Sequence, residues 1–489
     1  MRQTIRFLMG GEARDIRNLP PTMTVLEWLR GDHHAGGARA CGSKEGCAEG
    51  DCGACTVALG EPDGEGLRYR AVNACILFIP ALDGRQLLTV EHLRAPDGTL
   101  HPVQRAMVEH HGSQCGFCTP GFVISLFALY HAGAPAGRAE VNDALAGNLC
   151  RCTGYRPIVD AALASCGGPP CDPFAAEAAA TAARLRAMGD DEPLAITHEG
   201  ARFLVPRTAD QLAGLLHTWP DSTLLAGGTD VGLWVTKQHR ALASVIALDR
   251  VAGLATIEEA GGVLSIGAGV VYEDALAALA RHWPDFGLLL RRLGSRQIRN
   301  RGTLGGNVAN ASPIGDTPPA LIALGATLVL RDGPDRRRLP AEEFFLGYRQ
   351  TALARGEFLE RIEIPLPAVG ELFATYKVSK RFDQDISAVC AAFRLRLVDG
   401  RVDSVRIAYG GMAAVPKRAT GAEQTLGGRL WNRAGVTAAM AALDVELSPI
   451  DDMRASAGYR RLVAGNLLLR FLLETTDESP ARLREPEAA

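Results

Sequence analysis

The chain has 489 residues, with 52 Lys and Arg against 55 Asp and Glu and a net charge of -3. A soft prior of ~150 residues per domain predicts roughly three domains. The near balance of charge argues against a protein that tracks nucleic-acid phosphates. The longest apolar run, residues 121–130, falls short of the ~18 residues of a membrane span. No uninterrupted apolar stretch follows Met1, so no signal peptide is expected and a cytoplasmic location follows by default.

Residues 1–90 read as a small β-rich module. Strands are expected at 4–9, 55–59 and 86–90, and a helix at 24–30 with Thr22 or Thr24 as its cap. Residues 91–165 read as helical, with the best periodicity at 103–110, 122–131 and 158–164. Residues 166–192 read as a linker that opens on Gly-Gly-Pro-Pro and continues alanine-rich, with helical character. From 193 the texture turns to alternating strands and helices: strands at 222–226 and 244–248, helices at 209–217 and 273–282. A last α+β segment ends in a helix at 459–474, and the polar 479–489 tail is expected to fray.

Cysteine usage is uneven. Of twelve cysteines, eleven lie at or before Cys171 and only Cys390 lies beyond. A disulfide scaffold would be shorter and secreted, whereas clustered thiols in a reducing compartment point to metal ligation. Cys47, Cys52 and Cys55 form C-x4-C-x2-C, and Cys75 follows. This is the plant-type 2Fe–2S spacing. Gly46, Gly50 and Gly53 let the loop fold tightly and aim N–H groups at sulfur. Zinc is the competing reading, but zinc favours two short cysteine pairs with a longer spacer.

Cys115 and Cys118 form C-x2-C before a helix, and Cys150 and Cys152 form C-x-C. Taken alone, that set suits an iron–sulfur cluster, zinc or a redox dithiol. Beside a plant-type set it favours iron–sulfur. Cys41, Cys166, Cys171 and Cys390 are left as structural or incidental thiols. Two one-electron centres imply an electron conduit and a two-electron partner.

Two glycine-rich stretches suggest that partner. Leu224, Leu225, Ala226, Gly227, Gly228, Thr229, Asp230 and Val231 follow a strand. Thr303, Leu304, Gly305, Gly306 and Asn307 form the second stretch, with Ser312 and Asp316 beyond. Paired glycines offer an anion nest for a pyrophosphate, and Asp316 offers an acceptor for ribose hydroxyls. Tight turns are the plain alternative, and neither stretch is G-x-G-x-x-G, so a Rossmann fold is not expected.

Read together, EGCAEGDCGACTV, QCGFCTPG, CRCTGYRPI, AGGTDVG, GTLGGNVANASPIGD, FFLGYRQTAL and IAYGGM resemble the small, electron-transfer subunit of the xanthine dehydrogenase group in the molybdenum hydroxylase family. The resemblance covers nearly the whole chain in order. It implies an α+β multidomain fold: a β-grasp ferredoxin-like 2Fe–2S domain (1–90), a helical-bundle 2Fe–2S domain (91–165), a linker (166–192), a vanillyl-alcohol-oxidase (PCMH) type FAD domain (193–370) and a C-terminal α+β flavoprotein domain (371–489). Cys47, Cys52, Cys55 and Cys75 would hold the cluster nearer FAD. Cys115, Cys118, Cys150 and Cys152 would hold the one nearer molybdenum, with Gln114 at the pterin. The two glycine stretches with Ser312, Asp316, Leu359 and Lys377 would contact FAD, and Asp383, Gln384, Asp385 and Ile386 would form the loop beside it. Asp230 and Leu293 depart from the family pattern, where a glutamate and an aromatic are common.

The resemblance further implies NAD as electron acceptor, molybdopterin on a large partner subunit, an (αβ)2 heterotetramer, and oxidation of hypoxanthine or xanthine to urate on the partner. No acid–base residue for that chemistry is expected in this chain. A different molybdenum hydroxylase, acting on an aldehyde or N-heterocycle, would carry the same electron-transfer parts. A zinc-stabilised scaffold without redox function is the third reading.

Overall fold

Thr24 rather than Thr22 opens the first helix. Its side-chain oxygen accepts the Glu27 N–H, and the Glu27 carboxylate accepts the Thr24 N–H in return. Helix Val25–Arg30 then buries Val25, Leu26, Trp28 and Leu29 on a five-stranded sheet. The computed structural model describes residues 1–31, 38–189 and 192–476. The strand order is Glu12–Ile16, Ile5–Met9, Gln86–Leu88, Thr56–Asp63, Gly66–Asn73. Ile5–Met9 and Gln86–Leu88 are parallel and the other neighbours antiparallel, which is a β-grasp arrangement. Phe7 packs edge-on to Trp28 at 5.5 Å in its core.

Helices Pro102–Glu109, Thr119–Tyr130, Arg138–Leu145 and Arg156–Ser165 enclose Phe122, Ile124, Phe127, Val141 and Ile158. The third of these has no strong period in sequence, because only Val141, Ala144 and Leu145 of its eight residues are buried. The expected linker is packed structure. Helix Ala178–Met188 buries Thr181, Ala182 and Leu185, and Arg184 donates to the Gly11 carbonyl at 2.9 Å. Alanine's small side chains let this helix lie close to the strands Thr56–Asp63 and Gly66–Asn73.

A second sheet follows, in the order Leu194–His198, Ala201–Val205, Ser244–Ala247, Thr223–Leu225. Its last three strands are parallel. Leu194, Ile196, Phe203, Val205 and Val245 share one buried cluster with Phe7 and Val57. The chain consequently divides into two compact units, Met1–Ala252 with Gly294–Gly302, and Gly253–Leu293 with Thr303–Ala489. The division falls inside segment 193–370, which the sequence reads as one flavin domain. Residues 194–247 bury their apolar side chains against the ferredoxin-like core, and 294–302 returns to the same unit.

The second unit holds an antiparallel sheet in the order Ile257–Ala260, Val263–Gly267, Phe358–Pro365, Thr327–Asp332, Asp335–Pro340. Helices Tyr272–His282, Pro284–Leu293 and Thr317–Leu324 complete its core around Trp283, Phe286 and Phe344. A four-stranded antiparallel sheet, Glu371–Val378, Val389–Val398, Arg401–Gly410 and Lys417–Arg418, packs against helices Arg433–Glu446 and Ala457–Thr475. Among the described residues, no helix is long and apolar enough to cross a membrane. The 479–489 tail lies outside the described residues.

Candidate metal and cofactor site

Both cysteine quartets lie in the first unit. The loop carrying Cys47, Cys52 and Cys55 turns through Gly50 (φ 87) and Gly53 (φ 68), a conformation that favours glycine. Gly46 is needed for closeness instead: a Cβ there would sit 2.9 Å from Cys52 Sγ. The Cys52 N–H donates to Cys47 Sγ at 3.4 Å. Asn73 ties the loop down by donating to the Gly50 carbonyl at 2.8 Å, two residues before Cys75.

Hydrogen bonding between the thiols shows how they group. Bonds from Cys52 and Cys75 hold Cys47 well below the usual thiol range, and a bond from Cys75 lowers Cys55. Cys52 and Cys75 rise as the donors. In the second quartet the Phe117 backbone N–H and the Cys152 thiol lower Cys115, and Cys152 rises. Burial, with the bond to Cys150, pushes Cys118 up to about 12. Thr153 donates its hydroxyl to Cys150 Sγ at 3.2 Å. Cys118 stands at the N-cap position of helix Thr119–Tyr130, without a side-chain capping bond.

In the second quartet Cys115 meets Cys152 and Cys118 meets Cys150, whereas in the first Cys75 bridges Cys47 and Cys55 and Cys52 meets Cys47. Two irons each need a pair of thiolates. One zinc would draw four ligands to a single centre. Among the described residues the compact metal-ligand trio, with ligand atoms within 4.8 Å of one another, is not cysteine but His101, His131 and Asp172. The quartets thus fit two-iron clusters better than single zinc ions. Cys55 and Cys75 are buried, whereas Cys115 and Cys152 are exposed and Gln114 beside them is exposed as well.

The His–Asp trio is a latch. Both His101 Nε2 (2.6 Å) and His131 Nε2 (2.9 Å) meet Asp172 Oδ2. His101 Nδ1 accepts the Val103 N–H, so its proton sits on Nε2, where a metal would need a lone pair. Asp172 also caps the helix Pro173–Ala176. Burial pushes its carboxyl up, but the hydrogen bonds from His101 and His131 outweigh this and hold it well below the usual carboxylate range. A depressed acid stabilises the fold above its unfolded value, about 3.9, and that stability fades as pH falls below it. Asp172→Asn is expected to cost about 1–3 kcal/mol at neutral pH. Urea melts at pH 7 and pH 3 check this: the gap between variant and wild type should shrink at pH 3, and a constant gap would count against the latch.

The expected flavin residues divide between the units. In the first, Leu224–Val231 runs from strand Thr223–Leu225 into helix Val231–Thr236, with Gly228 at φ 79. This is a turn suited to an anion nest. A Cβ at Gly227 would sit 1.9 Å from the Arg301 carbonyl oxygen, and one at Gly232 2.8 Å from the Ile76 oxygen. The loop thus lies directly against the residue after Cys75.

In the second unit the backbone N–H groups of the glycine stretch are already engaged. Leu304 N–H donates to Val270 O (3.0 Å), Gly305 N–H to Ala268 O (3.2 Å) and Gly306 N–H to Thr303 Oγ1 (2.9 Å). Asn307 Oδ1 accepts from the Thr317 hydroxyl at 2.6 Å, and Ser312 Oγ accepts from Ile314 N–H. Asp316, read as a ribose acceptor, has one carboxylate oxygen on Lys377 Nζ (2.5 Å) and the other on the Ser387 hydroxyl (2.5 Å). A carboxylate this deeply buried needs a paired cation, and Lys377 supplies it. Leu359 is a core residue on strand Phe358–Pro365. The 383–386 loop is more open: Asp383 and Ile386 are exposed, Gln384 adopts φ 58, and neighbouring Phe382 stacks under Arg292 at 4.3 Å. Leu293 packs against the unit's core.

Residues 198–367 match the FAD binding domain in molybdopterin dehydrogenase. The fold is similar to carbon monoxide dehydrogenase from Hydrogenophaga pseudoflava, with 30% identity and a TM-score of 0.53 over 55% of this chain and 94% of that one. The chain belongs to the molybdenum hydroxylase family. Residues 89–163 match a 2Fe–2S binding domain, and 374–475 match the CO dehydrogenase flavoprotein C-terminal domain. It is thus an oxidoreductase-family chain with 2Fe–2S-binding and FAD-binding domains. Quinoline 2-oxidoreductase from Pseudomonas putida 86 is a further structural neighbour, 28% identical with a TM-score of 0.52 over 56% of this chain and 96% of that one. Xanthine dehydrogenase of Emericella nidulans is 31% identical across 98% of this chain and 39% of its own length. Xanthine dehydrogenase/oxidase of Gallus gallus is 29% identical across 96% of this chain and 40% of its own. The chain spans about two fifths of the length of these curated relatives.

Proposed function

We propose that the chain is the electron-transfer part of a xanthine dehydrogenase. Cys47, Cys52, Cys55 and Cys75 hold one 2Fe–2S cluster, and Cys115, Cys118, Cys150 and Cys152 hold the other. What carries this reading is that each quartet gathers four thiols, while among the described residues the trio compact enough for a single ion is His101, His131 and Asp172 and not cysteine. FAD takes the glycine stretches, NAD+ is the final acceptor, and a molybdopterin-bearing partner in an (αβ)2 heterotetramer oxidises the purine.

When bound, the clusters supply one-electron steps and FAD links these to two-electron chemistry. The chain's own residues place and tune these groups. The Cys52 N–H on Cys47 Sγ and the Thr153 hydroxyl on Cys150 Sγ favour the added negative charge of the reduced state. The glycine loop packed on Ile76 brings the flavin stretch of the first unit against the Cys75 end of the first quartet. Phe117, Leu149 and Tyr155 are apolar yet exposed around the second quartet, and this rim suits a partner surface.

Xanthine as substrate is supported by the relatives similar to this chain over almost its full length. The quinoline and carbon monoxide enzymes among its structural neighbours favour a second reading, a partner acting on another N-heterocycle or an aldehyde. The first test is metal and flavin content with a visible spectrum before and after NADH. About four irons and one FAD per chain, bleached by NADH, are expected. A colourless chain with stoichiometric zinc would sink the redox reading. Turnover of the co-purified complex on xanthine, quinoline and an aldehyde then separates the two substrate readings.

A further inference from the structure

A buried polar network joins the two cysteine loops. Gln297, Asn148, Ser125 and Thr56 are each at most 2% exposed. Gln297 Nε2 donates to Asn148 Oδ1 at 2.9 Å and to Ser125 Oγ at 3.2 Å, and the Ser125 hydroxyl also donates to Asn148 Oδ1 at 2.7 Å. Asn148 Nδ2 donates to the Gly53 carbonyl at 3.3 Å. Asn148 lies two residues before Cys150, and Gly53 lies between Cys52 and Cys55.

Three glycines make this approach possible. A Cβ on Gly53 would sit 2.2 Å from Gly147 O, one on Gly121 2.1 Å from Gly53 O, and one on Gly147 2.1 Å from Gln297 Oε1. Side chains at these points would push the loops apart. With the loops held together, the Leu149 N–H donates to the Cys52 carbonyl at 3.0 Å. Cys52 belongs to the first quartet, and Leu149 is bonded directly to Cys150 of the second. The two quartets are therefore connected by covalent bonds and one hydrogen bond. Gln297 reaches this junction from helix Arg296–Arg299, which Arg299 anchors through both carboxylate oxygens of Asp143 at 2.8 Å.

We propose that Gln297 is a positioning residue that, through Asn148, clamps the Cys150–Cys152 loop onto the Cys52–Cys55 loop and so keeps the Leu149-to-Cys52 hydrogen bond as the electronic bridge between the quartets. This rests on the reading that both quartets hold 2Fe–2S clusters. Electron exchange falls steeply with each through-space gap, so a lost bridge matters even when both clusters remain bound.

The test compares wild type, Gln297→Met and Ser125→Ala as purified, iron-loaded full chains. Methionine keeps the shape of glutamine and removes its donors. The readouts are iron content, amide exchange at Leu149 and the low-temperature electron paramagnetic resonance spectrum of the dithionite-reduced chain. Gln297→Met is expected to keep its iron, to exchange the Leu149 amide roughly tenfold faster, as loss of one buried hydrogen bond implies, and to lose much of the magnetic interaction between the two reduced centres. Ser125→Ala, which leaves Gln297 on Asn148, is expected to show a smaller change in the same direction. That variant carries the test if Gln297→Met does not fold. Iron-loaded chains with equal exchange and equal spectra would overturn the clamp and leave the cluster reading standing. A wild-type chain that takes zinc in place of iron would overturn the cluster reading, and the bridge with it.

Discussion

Cys55→Ser is expected to lose about half the iron of the chain, falling from about four to about two per molecule. Cys55 is 2% exposed and packs in the ferredoxin-like core with Val57, Leu59 and Phe78. A serine hydroxyl there is a poor ligand and a buried polar group, costing about 1–3 kcal/mol before the metal's own contribution to folding is counted. The thermal melt of the first unit should therefore fall together with the iron. Cys115→Ser provides the contrast, because Cys115 is exposed at the surface. It should lose a similar amount of iron with a much smaller loss of stability. Cys41→Ser, outside both quartets, should lose neither. An iron assay, the visible absorbance and a melting curve on the three variants decide the matter. Full iron in Cys55→Ser, or iron loss in Cys41→Ser, would show that the quartets are wrongly assigned.

Lys377→Met should destabilise the second unit by about 3–5 kcal/mol, the usual cost of stranding a buried charge. Lys377 and Asp316 have side-chain exposures of 1% and 6%, so water cannot replace the lost partner. Ser387 would remain as a single neutral donor to a carboxylate. Removing both charges in Lys377→Met with Asp316→Leu should recover most of the loss, since an apolar pair of similar volume has no desolvation to offset. Urea unfolding of the wild type, single and double variants measures this. A single variant within about 0.5 kcal/mol of wild type would contradict a buried ion pair. Flavin content should fall in the single variant, because Asp316 caps the helix Thr317–Leu324 and Asn307 is bonded to Thr317.

The parts legible in the sequence were those whose chemistry is local. C-x4-C-x2-C and C-x2-C each keep their ligands within one loop, and the strand–glycine–helix run at 224–231 is contiguous. The helix at Val25–Arg30 announced itself by its Thr24 cap and apolar spacing. The His101–Asp172–His131 latch had no such signal, since its members lie 71 and 41 residues from the aspartate and histidines are common on helix ends. Gln297 was equally silent, because its contacts with Thr56, Ser125 and Asn148 span 149 to 241 residues. The 166–192 connection was legible as having helical character, but its packing was not. Its alanines look featureless in composition, yet a small-residue face is what allows a helix to lie flat on a sheet.

The sequence by itself determined the short cysteine motifs, the glycine-rich turns and the resemblance to the family. Thiolate spacing and glycine placement are short-range constraints that no packing can alter. The tertiary structure alone decided which sulfurs meet, that Asp316 serves Lys377 and Ser387, and that Leu149 touches Cys52. Each of those outcomes depends on close approach between distant segments, set by which side chains must be buried and which polar groups must then find partners.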